Sequence, residues 1–456
     1  MRFKIWPTKY FFDDLGKDTR FIIYLMFFLY LAISLVKILD PDPFIKELQI
    51  LYLVEKHNEF GLSQTKGFNL WTPGTDEFEV RYGVDMPFGG IPYDPIEDHY
   101  AYVSLPPGLI FLSGLFYNAF GKFWQIIRVE FIMFGVLLFY ALIVFALEHI
   151  EQKTLNIFLL FTLTPFSLFH YMYNDMNHNA MLLSMSLFSY IFLLKYIKTK
   201  SVKWFLLSML ITLINTWFSY IALVTLPSFF MHLFFEKSFN TKEKFVAISS
   251  LIVFCSSLFI SIILFHSMLP NSLDYLYERF TVRLNSTDGI ASANETGYIP
   301  LNNFIIRQFI RFNTHFNPIA FLLSLIGLYY AIKYYASKIF NKKKFIQIDT
   351  LNNNFILIML FFWGVPNGLL VVNGAYIHPY AIFYFNLFFI FGSYIGYTKI
   401  FSTQSLVLKK FMKFKDPSIV TIQVFLFLSV ARALIKVSGL SLIDLFFNNK
   451  IPPFWG

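Results

Sequence analysis

Apolar runs about as long as a bilayer is thick recur along almost the whole of this chain, and nothing constrains its fold more. A hydrocarbon core of about 30 Å is crossed by about 20 helical residues. Only 14% of the 456 residues are charged, against about a quarter in a soluble domain. The expected fold is therefore an all-α polytopic membrane protein. The runs are Phe21–Leu39, Val129–Leu147, Leu155–Phe169, Asn179–Leu194, Phe245–Phe265, Pro318–Ile332, Phe355–Val372, Pro379–Gly396 and Ile419–Ala433, with Trp204–Phe235 counted as two spans that break near Trp217–Tyr220. That makes about eleven transmembrane helices. The first run follows a basic leader and lacks a small-residue cleavage site, so it reads as a retained span rather than a signal peptide.

Lys and Arg favour the cytoplasmic side of a membrane. With the N-terminus cytoplasmic, the inner segments 1–20, 148–154, 195–203, 236–244, 333–354 and 397–418 hold 23 of the 37 basic residues. Because these cations fall between apolar runs and not on one domain, the net charge of +9 reports orientation and implies no nucleic-acid partner. The same reading puts two large loops, 40–128 and 266–317, on the outer face. It divides the chain into a catalytic-type module, 1–235, and a variable module, 236–456. The membrane is a cell (inner) membrane, or the ER membrane in a eukaryotic host. The single cysteine, Cys255, lies inside an apolar run and excludes an intrachain disulfide or a cysteine metal cage.

In the first outer loop, Phe44, Leu48, Leu51, Tyr52 and Val54 have the spacing of an amphipathic helix lying at the membrane surface. Gly61–Pro95 is rich in turn residues. Gly108–Phe120, opened by Pro106 and Pro107, has too few apolar residues to span comfortably and reads as a second surface or re-entrant helix. Twelve of the 28 acidic residues lie between Asp40 and Asp98. Most of them solvate a loop, but Asp42 and Glu47 adjoin the outer end of the first span, where a lipid headgroup lies. Asp175, between two spans, stands at a similar height. Charge so close to hydrocarbon is costly and is commonly kept for function.

The order of these features resembles the GT-C superfamily of polytopic glycosyltransferases, in particular its protein mannosyltransferase and aminoarabinose transferase branches. The shared order is a basic leader, one span, an acid-bearing helix from Glu47 to Gly61, the Tyr102-Val-Ser-Leu-Pro-Pro-Gly108 segment, Arg128 opening a span, and Asp175 after the third span. A further echo is Tyr376-Ile-His378-Pro-Tyr380. The resemblance implies a sugar taken from a polyprenyl-phosphate carrier and passed to a glycan, lipid or protein acceptor. It also implies an acid in the first outer loop as general base and a second acid, Asp175, supporting acceptor or donor. Glu47 falls where an Asp-Glu pair is common, but Lys46 replaces the Asp, which keeps Asp42 as a rival base. Leu105 stands where members often carry His or Lys, so the phosphate contact is expected elsewhere.

Displacing a polyprenyl phosphate needs a base on the nucleophile and cations on the leaving group. Arg279 with Arg283, and Arg307 with Arg311, are spaced to present one cationic face each on a helix. Tyr376 and His378 are further substrate-binding candidates. No metal site and no cofactor are expected, although a weakly held divalent ion between Glu47 and Asp175 stays open. Two other readings remain: a transporter or lipid flippase, which would place ionisable residues at mid-membrane, and an inactive scaffold of the same fold.

Overall fold

The computed structural model describes residues 15–38, 45–71, 91–96, 99–103, 106–123, 125–163, 179–283, 301–340, 348–370 and 383–411. The chain is an all-α polytopic membrane protein with one small sheet. Among the described residues, the helices are α1 (Lys17–Ile38), α2 (Ile45–Thr65), α3 (Gly108–Phe120), α4 (Gln125–His149), α5 (Leu155–Phe161), α6 (Asn179–Thr199), α7 (Val202–Phe218), α8 (Leu226–Phe235), α9 (Thr241–Ser267), α10 (Ser272–Arg283), α11 (Leu301–His315), α12 (Pro318–Phe340), α13 (Asn353–Val365) and α14 (Asn386–Phe411).

Among the described residues, four helices are long and apolar enough to cross a bilayer: α4, α6, α9 and the Pro318–Ser337 part of α12. The shorter apolar helices are α3, α7, Tyr220–Phe235 and α13. Most expected spans thus appear as helices, with shifted ends. The run from Phe355 leaves α-geometry at Val365 and continues as a π-turn, Pro366–Leu370. The run from Pro379 is described as helix only from Asn386, and it continues to Phe411, well past the expected end at Gly396. The run Ile419–Ala433 lies outside the described residues.

The long run 204–235 breaks where expected. Ser219 is extended, and its side chain accepts a hydrogen bond from the Ile221 amide, which starts a 3-10 helix over Tyr220–Thr225. Pro227 then sits in the first turn of α8, where its missing N–H is not needed.

Helices associate in lipid through small residues and hydrogen bonds more than through hydrophobicity. Between α6 and α7 a buried hydroxyl ladder does this: Ser189 Oγ lies 2.6 Å from Thr212 Oγ1, Ser208 Oγ donates to the Ser189 carbonyl at 2.8 Å, and Asn215 Nδ2 donates to Ser186 Oγ at 2.9 Å. Between α12 and α14 the device is close backbone approach. Gly392 and Gly396, four apart on α14, face Ser324, Leu323 and Gly327 of α12, and a Cβ at Gly396 would overlap the Leu323 carbonyl. The Ser393 hydroxyl donates to the Ala320 carbonyl at 2.6 Å across the same seam.

One end of the bundle gathers the segments 148–155, 195–203, 236–244 and 348–353. Lys195 pairs with Glu148 at 3.0 Å, Lys200 with Glu243 at 2.8 Å and Lys237 with Asp349 at 3.0 Å. The first loop supplies the sheet, β1 (Asn69–Trp71), β2 (Ile91–Pro92) and β3 (Tyr100–Tyr102), antiparallel in the order β1-β3-β2. Strands of two or three residues carry no readable alternation, and the turn-rich composition hides them. Phe68, next to β1, packs on Phe265 at the end of α9 with ring centroids 4.5 Å apart, which seats the sheet on the opposite end of the bundle.

Candidate functional site

At the sheet-bearing end, α2 and α3 lie side by side. Val54 meets Gly114, Tyr117 Oη donates to Glu55 Oε1 at 3.2 Å, and the Asn58 and Asn118 amides exchange hydrogen bonds at 3.3 and 3.0 Å. The pairs Val54–Gly114 and Asn58–Asn118 share one parallel register, which places the backbone of Glu47 level with Pro107. The acid-bearing helix was expected to lie at the membrane surface. Residues 48–54 are buried against protein, with Leu48, Ile50, Leu51, Tyr52, Leu53 and Val54 all inside the core. Gly61 then takes φ +70° and kinks the helix, a conformation that an L side chain rarely adopts.

The first residue of α3 is equally constrained. A Cβ at Gly108 would overlap the Trp217 carbonyl, so the Pro106-Pro107-Gly108 turn is pressed against the end of α7, just before the Ser219 break. Glycine is the only residue that permits this approach.

Below α3 runs α4, and here the described residues hold an unusual group. Glu130 is fully buried, with 0% exposure, and so is Arg128. Ser113 of α3 faces the Glu130 carboxyl. The contact falls short of full hydrogen-bond geometry, so among the described residues neither the Glu130 oxygens nor the Ser113 hydroxyl makes a well-formed hydrogen bond, and Gln49 Oε1 on α2 makes none. A carboxyl removed from water and given no well-formed hydrogen bond is one of the more costly things a membrane bundle can contain. Such groups are rare in native proteins and need a reason.

His57, on the outer half of α2, links the site to the sheet: its Nε2–H donates to Asn69 Oδ1 at 3.3 Å. Burial pushes its imidazole below the usual histidine range, and the Asn69 contact opposes this only in part. Nδ1 is buried without a partner among the described residues.

The residues singled out from sequence are distributed as follows. Glu47 lies in the first turn of α2, at the junction just described. Arg279 and Arg283 lie on α10. Arg307 and Arg311 lie on α11, and they sit on the arc turned toward the protein, where Arg311 is 5% exposed. Asp42, Asp175, Tyr376 and His378 fall outside the described residues, so the expected meeting of Glu47 and Asp175 does too. No group of three or more His, Cys, Asp or Glu side chains is placed to hold a metal among the described residues. Sequence reasoning did not single out Glu130. The signal for it was present: one acid enclosed by Ile126, Ile127, Phe131 and Ile132.

No protein-family model and no curated protein sequence matches the chain. Among solved structures the chain is similar to a crystal structure of ArnT from Cupriavidus metallidurans bound to undecaprenyl phosphate. The two share 11% sequence identity at a TM-score of 0.49, over 93% of this chain and 72% of that one.

Proposed function

We propose that this protein is an integral-membrane glycosyltransferase that takes a sugar from a polyprenyl-phosphate carrier and passes it to a glycan, lipid or protein acceptor at the sheet-bearing face of the bundle. One observation carries the reading. Three stretches far apart in sequence, the acid-bearing turn at Glu47, the Pro106-Pro107-Gly108 turn and the buried Arg128–Glu130 segment, belong to helices packed at one junction. The carboxyl of Glu130, the Ser113 hydroxyl and Gln49 Oε1, none with a well-formed hydrogen bond among the described residues, are concentrated there at the cost of stability, as expected of a site that completes its hydrogen bonds only with a ligand present.

In this reading Glu47 is the general base that takes the proton of the incoming hydroxyl or amine, with Asp42 as its rival and Asp175 orienting the acceptor. Arg311 and Arg307 receive the departing phosphate. Cationic donors held in a low-dielectric site stabilise the charge that develops on the leaving oxygen. The face concerned is the outer one, and the N-terminus is cytoplasmic.

The test is transfer from a polyprenyl-phosphate sugar in proteoliposomes. Glu47→Gln keeps size and hydrogen bonding while removing basicity, so transfer falls by about a hundredfold or more and the melting temperature of the purified protein stays put. The same phenotype in an Asp42 variant would move the base by five residues and leave the mechanism standing. Full activity in both variants, and in Asp175→Asn, would leave an inactive scaffold of this fold as the better account.

A further inference from the structure

Helix α11 has its polarity reversed relative to a helix in water. Along its length Ile305, Ile306, Phe309 and Ile310 are 53–63% exposed, whereas Gln308 and Arg311 are 3% and 5% exposed. The outward arc carries no charge in these turns; the cations are turned inward. In a water-soluble protein the opposite holds, because apolar side chains gain by leaving water and guanidinium groups lose by it.

Length restricts what the outward face can meet. The helix has 15 residues and so reaches about 22 Å, short of a hydrocarbon core of about 30 Å. It cannot cross a bilayer, and one side of it is too polar to do so. It is also firmly held. Only Phe316 and Asn317 separate it from α12, and the rings of Phe312 and Phe316 pack on Phe389 of α14 with centroids 5.7 and 3.8 Å away. Its orientation is therefore set by the bundle. The exposed apolar surface also continues directly onto the start of α12, where Ile319 and Leu322 are exposed as well, and α12 is one of the helices able to span.

From this continuity and reversed polarity we infer that α11 lies immersed in the interfacial layer of one leaflet, with the arc of Ile305, Ile306, Phe309 and Ile310 in contact with lipid acyl chains and the Arg311 side facing the protein. The segment that sequence reading assigned to an outer loop is thus a lipid-facing wall. The inference rests on the membrane-spanning fold and not on sugar transfer, so it can fail while that activity stands, and the reverse.

The experiment uses the full chain with its lone cysteine replaced, Cys255→Ser, and single cysteines introduced by Ile306→Cys or Phe309→Cys. Val253→Cys, on the exposed face of α9, serves as a lipid reference, and Lys237→Cys, in the charged turn after α8, as an aqueous one. Each is labelled with a small fluorophore in phosphatidylcholine vesicles. The readouts are quenching by acyl-chain-brominated lipid and by iodide, and variants are accepted only if they elute like the Cys255→Ser parent. Labels on α11 should sit about 5–10 Å below the headgroups, giving bromine quenching at least about twofold above Lys237→Cys and iodide quenching at least about twofold below it. Ile305→Cys and Ile310→Cys provide the same reading if either first choice misfolds. Iodide access at the Lys237→Cys level without bromine quenching would overturn the inference by placing the face in water. Protection of the label from both quenchers, together with disulfide-linked dimers of the same variant left unlabelled, would overturn it in favour of a second copy of this chain.

Discussion

Each end of the bundle contains a buried glutamate, and the two are treated in opposite ways. Glu236, 2% exposed, is fully furnished: Oε1 accepts from the Ser238 amide at 2.9 Å, and Oε2 accepts from the Thr350 amide at 3.0 Å and from the Thr350 hydroxyl. Around it, residue 236 bridges to Ile348, and Lys237 pairs with Asp349. These contacts clamp the turn after α8 to the segment before α13. Glu130, at the other end, is equally buried, and among the described residues it meets only the Ser113 hydroxyl, without a well-formed hydrogen bond. A satisfied buried polar network rigidifies, whereas an unsatisfied one costs free energy that only another role can justify. The Glu236 end holds the bundle together, whereas the Glu130 end leaves buried polar groups unsatisfied, as the proposed function requires.

Removing each carboxylate sharpens that contrast. Glu236→Ala strands the buried Thr350 and Ser238 donors and should cost about 3 kcal/mol, read as a lowered melting temperature in detergent, with transfer per folded molecule unchanged. Glu130→Leu removes a group without a well-formed hydrogen bond and fills its volume, so stability should hold or rise by about 1–2 kcal/mol while transfer is lost. A large destabilisation by Glu130→Leu would show the two glutamates to be alike and break the comparison.

A smaller effect follows from His57 at the site end. Its folded-state pKa is lowered by burial, so the fold favours the neutral ring. That contribution is fully present above the unfolded histidine value of about 6.5 and is lost as pH falls below it toward the lowered folded value. Thermal unfolding should therefore show a loss between pH 7 and pH 5 that His57→Gln shrinks. The smallest effect is expected at the exposed Lys237–Asp349 pair, whose hydrogen bond holds the Lys237 ammonium above its usual range. Solvent and salt screen such a pair, so Lys237→Ala should leave the melting temperature unresolved from wild type. A clear drop there would mean that the clamp depends on the ion pair and not on Glu236.

How much of this was legible beforehand depended on the range of the forces involved. Span positions in α4, α6, α9 and α12 were readable because an apolar run of given length has one low-energy form in lipid. The break at Ser219 was readable from run length alone, since 32 apolar residues are too many for one crossing. The seam of Gly392 and Gly396 on α12 was present as a small-residue spacing, but nothing local says which helix such a face meets. The same limit applies to α2: amphipathic spacing marks an apolar face without naming its partner, and over 48–54 that partner is protein.

The candidate site divides along the same line. Sequence by itself determined the residue types: an acid beside the first span, a Pro-Pro-Gly turn, an Arg that opens a span, and arginines at helical spacing. These follow from local composition and periodicity. Only the tertiary structure decided that Gly108 must touch the Trp217 carbonyl, that Glu130 lies opposite Ser113 without a well-formed hydrogen bond, and that Arg311 faces inward while its isoleucine neighbours face outward. Burial and hydrogen-bond satisfaction are properties of what arrives from elsewhere in the chain, so no local pattern could encode them.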